Sequence, residues 1–240
     1  MNYKFISKSL YFPDKGILVI GDLHIGYEYA LQQAGVLLPE RQIKDLIKEL
    51  KSLFQQVKSH GKLDKIVFLG DIKHAFGYEY KEKVSFRELF EFLSKHFKEK
   101  DTILIKGNHD TIDYSFEEKM SFYHIENDIC FLHGDKLFPE AFEKNIKLIV
   151  MGHIHPSIIL SDKQNIKRES YKCFLEGKFK NKQVVILPSF LEYTDGSPIN
   201  NMEDYEDDFS IIPKKALLTF KVHVIGENEV YEFGKVKDLK

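Results

Sequence analysis

Four short apolar runs in this chain each end in a glycine that is followed at once by polar side chains. The clearest is Ile103-Leu104-Ile105, which leads through Gly107 to Asn108-His109-Asp110. Unbroken, mostly β-branched runs are typical of strands buried on both faces of a sheet, and glycine permits the sharp exit. The other three runs are Ile17 to Ile20 before Gly21-Asp22, Ile66 to Leu69 before Gly70-Asp71, and Ile146 to Met151 before Gly152-His153. Because open α/β sheets bind ligands at the carboxyl ends of their strands, the recurrence predicts a site built from strand ends.

Helices are expected between the first strands. Apolar residues at three- and four-residue spacing predict a long helix from about Leu37-Leu38-Pro39-Glu40 to Ser59 and another from about Val84 to Phe97. The first half therefore reads β-α-β-α-β, the pattern of a parallel sheet. From residue 120 onward, short strand-like runs such as Ala216 to Val224 have few helices between them, and Lys178 to Gln183 is typical of a hairpin turn. A second, more antiparallel sheet is expected there.

Composition excludes several classes of protein. The 35 basic and 37 acidic residues give a net charge of -2, so whole-molecule charge does not indicate a polyanion partner. The two cysteines lack paired spacing, which favours a reducing compartment and no thiolate metal site. Without a long apolar run, we expect a soluble, cytoplasmic protein that has no membrane partner. We expect one domain over residues 1–240, with its motifs in 16–160 and further strands and a rim loop in 170–240.

The polar residues at the strand ends are oxygen and imidazole donors. They are Asp22, His24, Asp71, Asn108, His109, His133, His153 and His155. Such a set suits Mn²⁺, Fe²⁺, Zn²⁺ or Mg²⁺. In Asp22-Leu23-His24 and His153-Ile154-His155 the middle residue is apolar, so an extended backbone would turn both polar side chains to one face. One such pair alone is more often ordinary surface or packed histidine; the joint series indicates a metal centre.

This ordered series resembles the five-block signature of calcineurin-like metallophosphoesterases. The blocks are Asp22-x-His24, Gly70-Asp71, Gly107-Asn108-His109-Asp110, His133 and Gly152-His153-x-His155. The resemblance implies an α/β fold, a four-layer α/β/β/α sandwich of two mixed sheets flanked by helices. It also implies two divalent ions, Mn²⁺ first. One would be held by Asp22, His24, Asp71 and His155, and the other by Asp71, Asn108, His133 and His153, with Asp71 bridging.

The resemblance further implies roles at the phosphate. His109 would donate a hydrogen bond or a proton there, and Asp110 would orient it, with helix capping as a compatible alternative. His74 is similar to a histidine of SbcD-type DNA repair nucleases that approaches the leaving group, with loop packing as the alternative. The stretch from Asp22 to Glu28 also resembles the SbcD-related, ICC-like phosphoesterases whose bacterial members accompany DNA ligase.

The activity implied is hydrolysis of nucleic acid or nucleotide phosphodiesters by a metal-bridged hydroxide. The implied partners are single-stranded nucleic acid or a nucleotide, and a DNA-repair protein. A phosphomonoesterase is the alternative, and a non-catalytic scaffold is disfavoured because His109 and all seven ligands are present. Two features have two interpretations each. The lysines between 163 and 182 could bind the phosphates of a nucleic acid or could lie on the solvated face of a hairpin, and the tail from Phe209 could form a homodimer contact or pack in the core. The acidic run Glu203 to Asp208 is expected to be a solvated loop.

Overall fold

The chain is organised around two β-sheets. A computed structural model describes residues 1–76, 79–111, 120–162, 167–201, 209–227 and 229–239. The first sheet contains β1 (Lys4–Ile6), β2 (Ser9–Phe12), β3 (Ile17–Ile20), β4 (Lys65–Phe68), β5 (Thr102–Ile105) and β6 (Met120–Ser121). The second contains β7 (Tyr123–Glu126), β8 (Ile129–Leu132), β9 (Leu148–Met151), β10 (Pro156–Ser161), β11 (Arg168–Phe179), β12 (Lys182–Ile186), β13 (Ser197–Pro198), β14 (Lys221–Ile225) and β15 (Val230–Lys235). The α-helices are α1 (Tyr27–Gln33), α2 (Gln42–Lys58), α3 (Tyr80–Leu93) and α4 (Lys214–Leu217).

The first sheet aligns three of the strand ends that carry polar residues. Its strands lie in chain order, and β3, β4, β5 and β6 are parallel neighbours. Helices α1 and α2 connect β3 to β4, and α3 connects β4 to β5. The predicted β-α-β-α-β pattern is confirmed, and the carboxyl ends of β3, β4 and β5 meet at one edge.

The second sheet supplies the remaining strand ends. Strands β8, β9 and β12 are parallel neighbours, while the long strand β11 pairs antiparallel with β10, β12 and β14. Because Leu132 of β8 pairs with Met151 of β9, the residues that follow these two strands leave the sheet side by side.

Three apolar layers hold the sandwich together. Between the sheets lie buried side chains that include Phe12, Val67, Phe131, Phe174 and Val185. On the outer face of the first sheet, α2 and α3 contribute a second apolar cluster that includes Leu50, Phe54, Phe86 and Leu89. Burying each such side chain contributes about 1.5–3 kcal/mol. The outer face of the second sheet packs against short elements, among them α4 and the 3-10 turns Pro139–Phe142 and Val236–Asp238. The expected four layers are confirmed, with a thin fourth layer.

The predicted start of the long second helix was wrong. Helix α2 begins at Gln42 and not near Pro39, because the buried carboxylate of Glu28 accepts hydrogen bonds from the backbone N–H groups of Arg41 and Gln42 at 2.8 and 2.9 Å. An acceptor from another helix thus satisfies the first donors of α2. Helix α3 also begins earlier than expected, at Tyr80, after Glu79 accepts a hydrogen bond from Lys81 N.

The run from Ala216 to Val224 is not one strand. It begins in helix α4 and becomes strand β14 only at Lys221. Phe220, between the two elements, packs so closely on the backbone of Gly177 that a side chain there would overlap the ring. The predicted hairpin between β11 and β12 is confirmed: Lys180 and Asn181 both have positive φ, as a type I′ turn requires.

Two lysines of the 163–182 stretch are held by backbone carbonyl oxygens. Lys182 donates to the carbonyl oxygen of Ile146 at 2.7 Å, and Lys172 donates to that of Ser189 at 2.9 Å. Burial, together with the charge of Lys8, lowers the pKa of Lys172 to about 8. Lys163 and the acidic run Glu203 to Asp208 lie outside the described residues. Among those that are described, the helices fall short of the length and apolarity that a bilayer span requires.

Candidate metal centre

Strand ends from both sheets bring the predicted ligands together. Asp22 and His24 follow β3, Asp71 follows β4, Asn108 follows β5, His133 follows β8, and His153 and His155 follow β9. Six of these ligands fall into two groups of three whose donor atoms lie within 4.8 Å of one another. Asn108 completes the set through its Oδ1 atom, 3.0 Å from Nε2 of His133.

The first group consists of Asp22, His24 and His155. The Nε2 atoms of the two histidines are 3.3 Å apart, and His155 Nε2 forms a close ion pair with Oδ2 of Asp22. Asp22 and His24 are buried and His155 is half-buried. Three donors therefore converge at the end of β3.

The second group consists of Asp71, His133 and His153. Nε2 of His133 lies 3.4 Å from Oδ2 of Asp71 and 3.0 Å from Nδ1 of His153. All three residues are buried.

Asp71 borders both groups through a single oxygen atom. Its Oδ2 lies 3.9 Å from Nε2 of His24 in the first group as well as 3.4 Å from Nε2 of His133 in the second. Its other oxygen accepts a hydrogen bond from His109 N at 2.8 Å, which fixes the carboxylate. One carboxylate oxygen between two donor groups is the arrangement that a bridging ligand needs.

The backbone at the ligands is not extended, so the condition under which the pairs Asp22/His24 and His153/His155 would each share one face is not met. His24, Asp71, His153 and His155 have φ values of 45, 45, 68 and 49°, in the left-handed region. Residues other than glycine seldom adopt this conformation, which costs about 1–3 kcal/mol each and is concentrated at functional sites. A left-handed residue bends the chain back sharply, so the side chains converge through turns and not through strand alternation.

Two glycines allow the carboxylates to approach the neighbouring loops. A Cβ atom on Gly107 would lie 2.2 Å from Oδ1 of Asp71, and one on Gly152 would lie 2.5 Å from Oδ1 of Asp22. Any side chain at either position would displace a ligand. This is a steric reason for the glycines that precede the polar residues at these strand ends.

Carbonyl oxygens set the tautomers of two histidines. His133 Nδ1 lies 2.9 Å from the carbonyl oxygen of Leu69, and His153 Nε2 lies 2.6 Å from that of Phe209. Because a carbonyl only accepts, the facing nitrogens carry the protons. The two remaining nitrogens, His133 Nε2 and His153 Nδ1, are then unprotonated in the neutral rings. They lie 3.0 Å apart, so their lone pairs point at each other. Such a pair requires a proton or a cation between them.

The electrostatics of the second group agree with this requirement. Burial by itself lowers the pKa of His133, but its hydrogen bond with Asp71 and the charge of Asp22 outweigh burial and raise the pKa to about 9. Although burial would raise it, the pKa of Asp71 is held well below its usual range by the hydrogen bond with His133. In the first group, burial and the charge of His155 lower the pKa of His24 to about 3. His24 is therefore a neutral donor at pH 7.

The donor set fits divalent cations. Oδ1 of Asp22 is buried and has no hydrogen-bond partner within the part of the chain that the structure describes. A buried carboxylate oxygen without a partner is costly unless a positive charge faces it. Oxygen and imidazole donors with no thiolate are the ligands of Mn²⁺, Fe²⁺, Zn²⁺ and Mg²⁺.

The two other predicted histidines border the first group. His109 Nδ1 donates to the carbonyl oxygen of His74 at 2.6 Å, and the ring centroids of His24 and His109 are 5.0 Å apart. His74 Nδ1 is 3.5 Å from His24 Nδ1, and burial together with the charge of His109 lowers the pKa of His74. His109 therefore has its Nε2 atom available for a substrate.

Asp110 contacts backbone groups of two loops. Its carboxylate accepts hydrogen bonds from the N–H groups of Gly107, Ile72 and Lys73 at 2.9, 3.1 and 3.2 Å. Burial raises the pKa of Asp110 to about 7 despite these donors. The contact that orients the His109 ring comes from the His74 carbonyl, so Asp110 acts on the loops that carry Asp71 and His109. The alternative expectation, that Asp110 caps a helix, concerns residues 112–119, which lie outside the described residues.

Sequence reasoning missed several groups that hold the site. Phe209 supplies the carbonyl oxygen for His153, and the buried carboxylate of Glu82 accepts hydrogen bonds from the N–H groups of His74 and Ala75 at 2.8 and 2.9 Å. Ser189 Oγ donates to the carbonyl oxygen of Asp22 at 3.1 Å. Ser189 lies in the 170–240 region that was expected to contain a rim loop, and the tail from Phe209 was noted for dimer contacts or core packing, but neither residue was predicted to contact a ligand. Nothing in the sequence marked Glu82.

Comparisons with known proteins agree with this centre. A family model described as calcineurin-like phosphoesterase matches residues 16–186, which is more than half of the chain. No curated protein sequence matches. Nuclease MPE from Pseudomonas putida has a similar structure, with a TM-score of 0.60, 18% identity, and coverage of 96% of this chain and 100% of that chain. At this identity the likeness shows the fold.

Two further solved structures are more distant. Vacuolar Protein Sorting 29 from Cryptosporidium parvum has a TM-score of 0.40 and 16% identity, with 91% of this chain and 97% of that chain covered. A predicted phosphoesterase from Streptococcus pneumoniae has a TM-score of 0.36 and 15% identity, with 91% and 97% covered. TM-scores this low carry no further argument.

Proposed function

Because the chain belongs to the calcineurin-like phosphoesterase family, we propose that it hydrolyses nucleic acid or nucleotide phosphodiesters with two divalent ions, Mn²⁺ first among them. The observation that carries the proposal is the position of Asp71, whose Oδ2 atom lies 3.9 Å from His24 Nε2 and 3.4 Å from His133 Nε2. We also propose that the protein belongs to the SbcD-related branch of the family. That it forms a homodimer and that it binds a DNA-repair protein remain predictions from the sequence.

The ligands divide as the resemblance implies. Asp22, His24, Asp71 and His155 would hold one ion, and Asp71, Asn108, His133 and His153 would hold the other. When bound, a pair of divalent ions lowers the pKa of a water molecule and neutralises phosphate charge. The chain itself supplies the fixed donor positions, since the Leu69 and Phe209 carbonyls hold the rings of His133 and His153.

His109 contributes the proton chemistry at the phosphate. With Nδ1 bonded to the His74 carbonyl at 2.6 Å, its Nε2 atom, when protonated, can donate to a phosphate oxygen or to the departing oxygen. His74 lies beside it with ring centroids 5.4 Å apart, so a second imidazole borders the same position. An imidazole acid beside the metal centre suits a phosphoester, either a diester or a monoester, whose departing oxygen has to be protonated.

We propose nucleic acid as the first substrate to test because nuclease MPE, which shares the fold over its whole length, is described as a nuclease. The test is to strip the protein with chelator, add back Mn²⁺, Fe²⁺, Zn²⁺ or Mg²⁺, and measure hydrolysis of bis-p-nitrophenyl phosphate beside p-nitrophenyl phosphate. We expect metal-dependent turnover with the diester preferred. A panel of single- and double-stranded DNA, RNA and cyclic nucleotides then narrows the substrate.

A matched pair of variants tests the bridge. Asp71→Asn should lose at least about 100-fold in rate, since even outer-shell changes cost 10–100-fold. Asp128→Asn removes a carboxylate that pairs with Lys147 at 3.2 Å, at the other end of β8, and should behave as wild type. Full rate in Asp71→Asn with metal bound would refute the bridging role. Faster monoester hydrolysis would favour the phosphomonoesterase, and no turnover with any metal would favour the scaffold.

A further inference from the structure

Two exposed phenylalanine rings lie on imidazoles of the metal centre. Phe76 is 57% exposed and Phe209 is 46% exposed. Single exposed apolar residues are common and need no explanation. These two differ because each ring lies nearly parallel to a histidine of the site: Phe76 to His109 and Phe209 to His153.

Phe76 is fixed beside the first ligand group. Its ring centroid lies 4.2 Å from that of His109, with an interplanar angle of 26°. Its carbonyl oxygen accepts a hydrogen bond from Thr111 Oγ1 at 2.7 Å. One ring face is therefore against the imidazole, and the exposed fraction leaves the outer face open to a ligand.

Phe209 is fixed in the same way beside the second group. Its ring centroid lies 4.4 Å from that of His153, with an interplanar angle of 23°. Its carbonyl oxygen accepts the hydrogen bond of His153 Nε2 at 2.6 Å. The ring is thus coupled through its own backbone to a metal-ligand histidine.

The two rings border different halves of the centre. His109, under Phe76, lies next to His24 of the first group, and His153, under Phe209, belongs to the second. Each ring therefore lies beside a histidine that belongs to, or borders, a different ligand group, and a diester bound between the groups has two substituents, one for each side. Aromatic side chains beside a phosphate site bind unpaired bases because every base has a π-face.

We infer that Phe76 and Phe209 form two stacking positions for the unpaired bases on either side of the scissile phosphodiester. The inference rests on the proposed phosphodiesterase function and adds to it a requirement for aromatic groups on the substrate. A paired duplex would not satisfy it, because its bases are already stacked on each other.

The test uses substrates that contain one diester each. They are thymidylyl-thymidine and its analogues in which the 5′, the 3′ or both nucleosides are replaced by an abasic tetrahydrofuran. Wild type, Phe76→Leu and Phe209→Leu are compared in the Mn²⁺-loaded form. Leucine keeps the apolar volume and, at position 209, keeps the carbonyl that serves His153. Phe233→Leu on β15, where the phenylalanine is 42% exposed, is the matched control.

For wild type and Phe233→Leu, we expect kcat/KM to fall about tenfold for each base removed, within the range for a base stacked on an aromatic side chain. Each of the two site variants should lose sensitivity to one base, and the two should differ in which base that is. Equal sensitivity of all four proteins to both bases would overturn the inference.

A binding measurement separates this inference from the proposed function. Fluorescence anisotropy of a labelled oligothymidylate should give a Kd about tenfold higher for each site variant than for wild type. If the oligonucleotide binds in this way but no diester is hydrolysed with any metal, the proposed function fails and the stacking positions stand. If diesters are hydrolysed but neither removal of a base nor substitution of Phe76 or Phe209 changes kcat/KM, the proposed function stands and the stacking positions are refuted.

Discussion

The carboxylate of Asp22 accepts a hydrogen bond at 2.9 Å from the backbone N–H of His153, a residue 131 positions later in the chain. The bond joins the end of β3 in the first sheet to the loop after β9 in the second. Both ligand groups therefore depend on the packing between the sheets. The same oxygen, Oδ2, also pairs with His155 Nε2 of the first group, whereas Oδ1, which has no hydrogen-bond partner among the described residues, lies 3.6 Å from Nδ1 of His133 in the second group.

Replacing Asp22 with Asn should empty the first ligand group. The amide would present a neutral oxygen or an N–H where a cation needs an anionic oxygen, so we expect bound metal to fall from two ions to one. Activity should drop at least about 100-fold. Metal content by mass spectrometry and diester hydrolysis check this. The exposed Asp14→Asn serves as control, and two tightly held ions in Asp22→Asn would contradict the assignment.

Metal affinity of the second group should rise with pH. His133 has a pKa of about 9, so below that pH it carries a proton that a metal must displace, whereas His24, with a pKa of about 3, carries none. One displaced proton makes the affinity about tenfold higher per pH unit between pH 7 and 9. Titration calorimetry in buffers of different ionisation enthalpy should show about one proton released at pH 7. A constant affinity from pH 7 to 9 would contradict this account.

Two buried serines should respond in opposite ways to substitution by alanine. Ser189 Oγ bonds the carbonyl oxygen of Asp22 at 3.1 Å and the N–H of Leu191 at 3.2 Å, so Ser189→Ala should cost about 1–3 kcal/mol of unfolding free energy. Ser157 Oγ is buried without a partner among the described residues, so Ser157→Ala should be neutral or stabilising. Denaturant unfolding of both variants measures the difference. Equal destabilisation of the two variants would show that the hydrogen bonds of Ser189 do not add to the stability of the protein.

Asp110→Asn should destabilise the loops and not only slow the reaction. Its carboxylate faces the N–H groups of Gly107, Ile72 and Lys73, so an amide NH₂ in place of one oxygen would oppose a donor, at about 1–3 kcal/mol. The raised pKa, about 7, also predicts that metal-free wild type loses stability as the pH rises from about 4 to 7, because the folded state holds the proton longer. Thermal unfolding measured between pH 4 and 7 should show that the melting temperature of Asp110→Asn falls less with rising pH than that of the wild type. An identical pH slope in both proteins would contradict it.

The ligand positions could be predicted because parallel strands place their carboxyl ends at one edge. Asp22 after β3 and Asp71 after β4 follow from that rule alone. Their backbone geometry could not be predicted, since the left-handed φ of 45° at both His24 and Asp71 is imposed by packing against neighbouring loops. The start of α2 was wrong for a similar reason: Glu28, a residue of another helix, provides the acceptor.

Other parts of the site carry no local sequence signal. Phe209 acts through its carbonyl oxygen and its ring, and it lies 56 positions from the histidine that it contacts. A carbonyl is present at every residue, so only the folded chain can identify which one sets a tautomer. The same holds for the His74 carbonyl, which orients His109 in the way that the family resemblance implied for Asp110.

His109→Asn should separate proton chemistry from metal binding. The ring is held by the His74 carbonyl at 2.6 Å, and His109 bonds the ligand Asp71 through its backbone N–H, which the variant keeps. We therefore expect both ions to stay bound while kcat for the diester falls about 10²–10⁴-fold, the usual contribution of a positioned acid or base. The loss should be smaller for a diester whose leaving group needs no protonation, such as p-nitrophenolate, than for a dinucleotide. Loss of a metal ion in this variant would instead make His109 a ligand, and equal losses on both substrates would place its role at the non-departing phosphate oxygens.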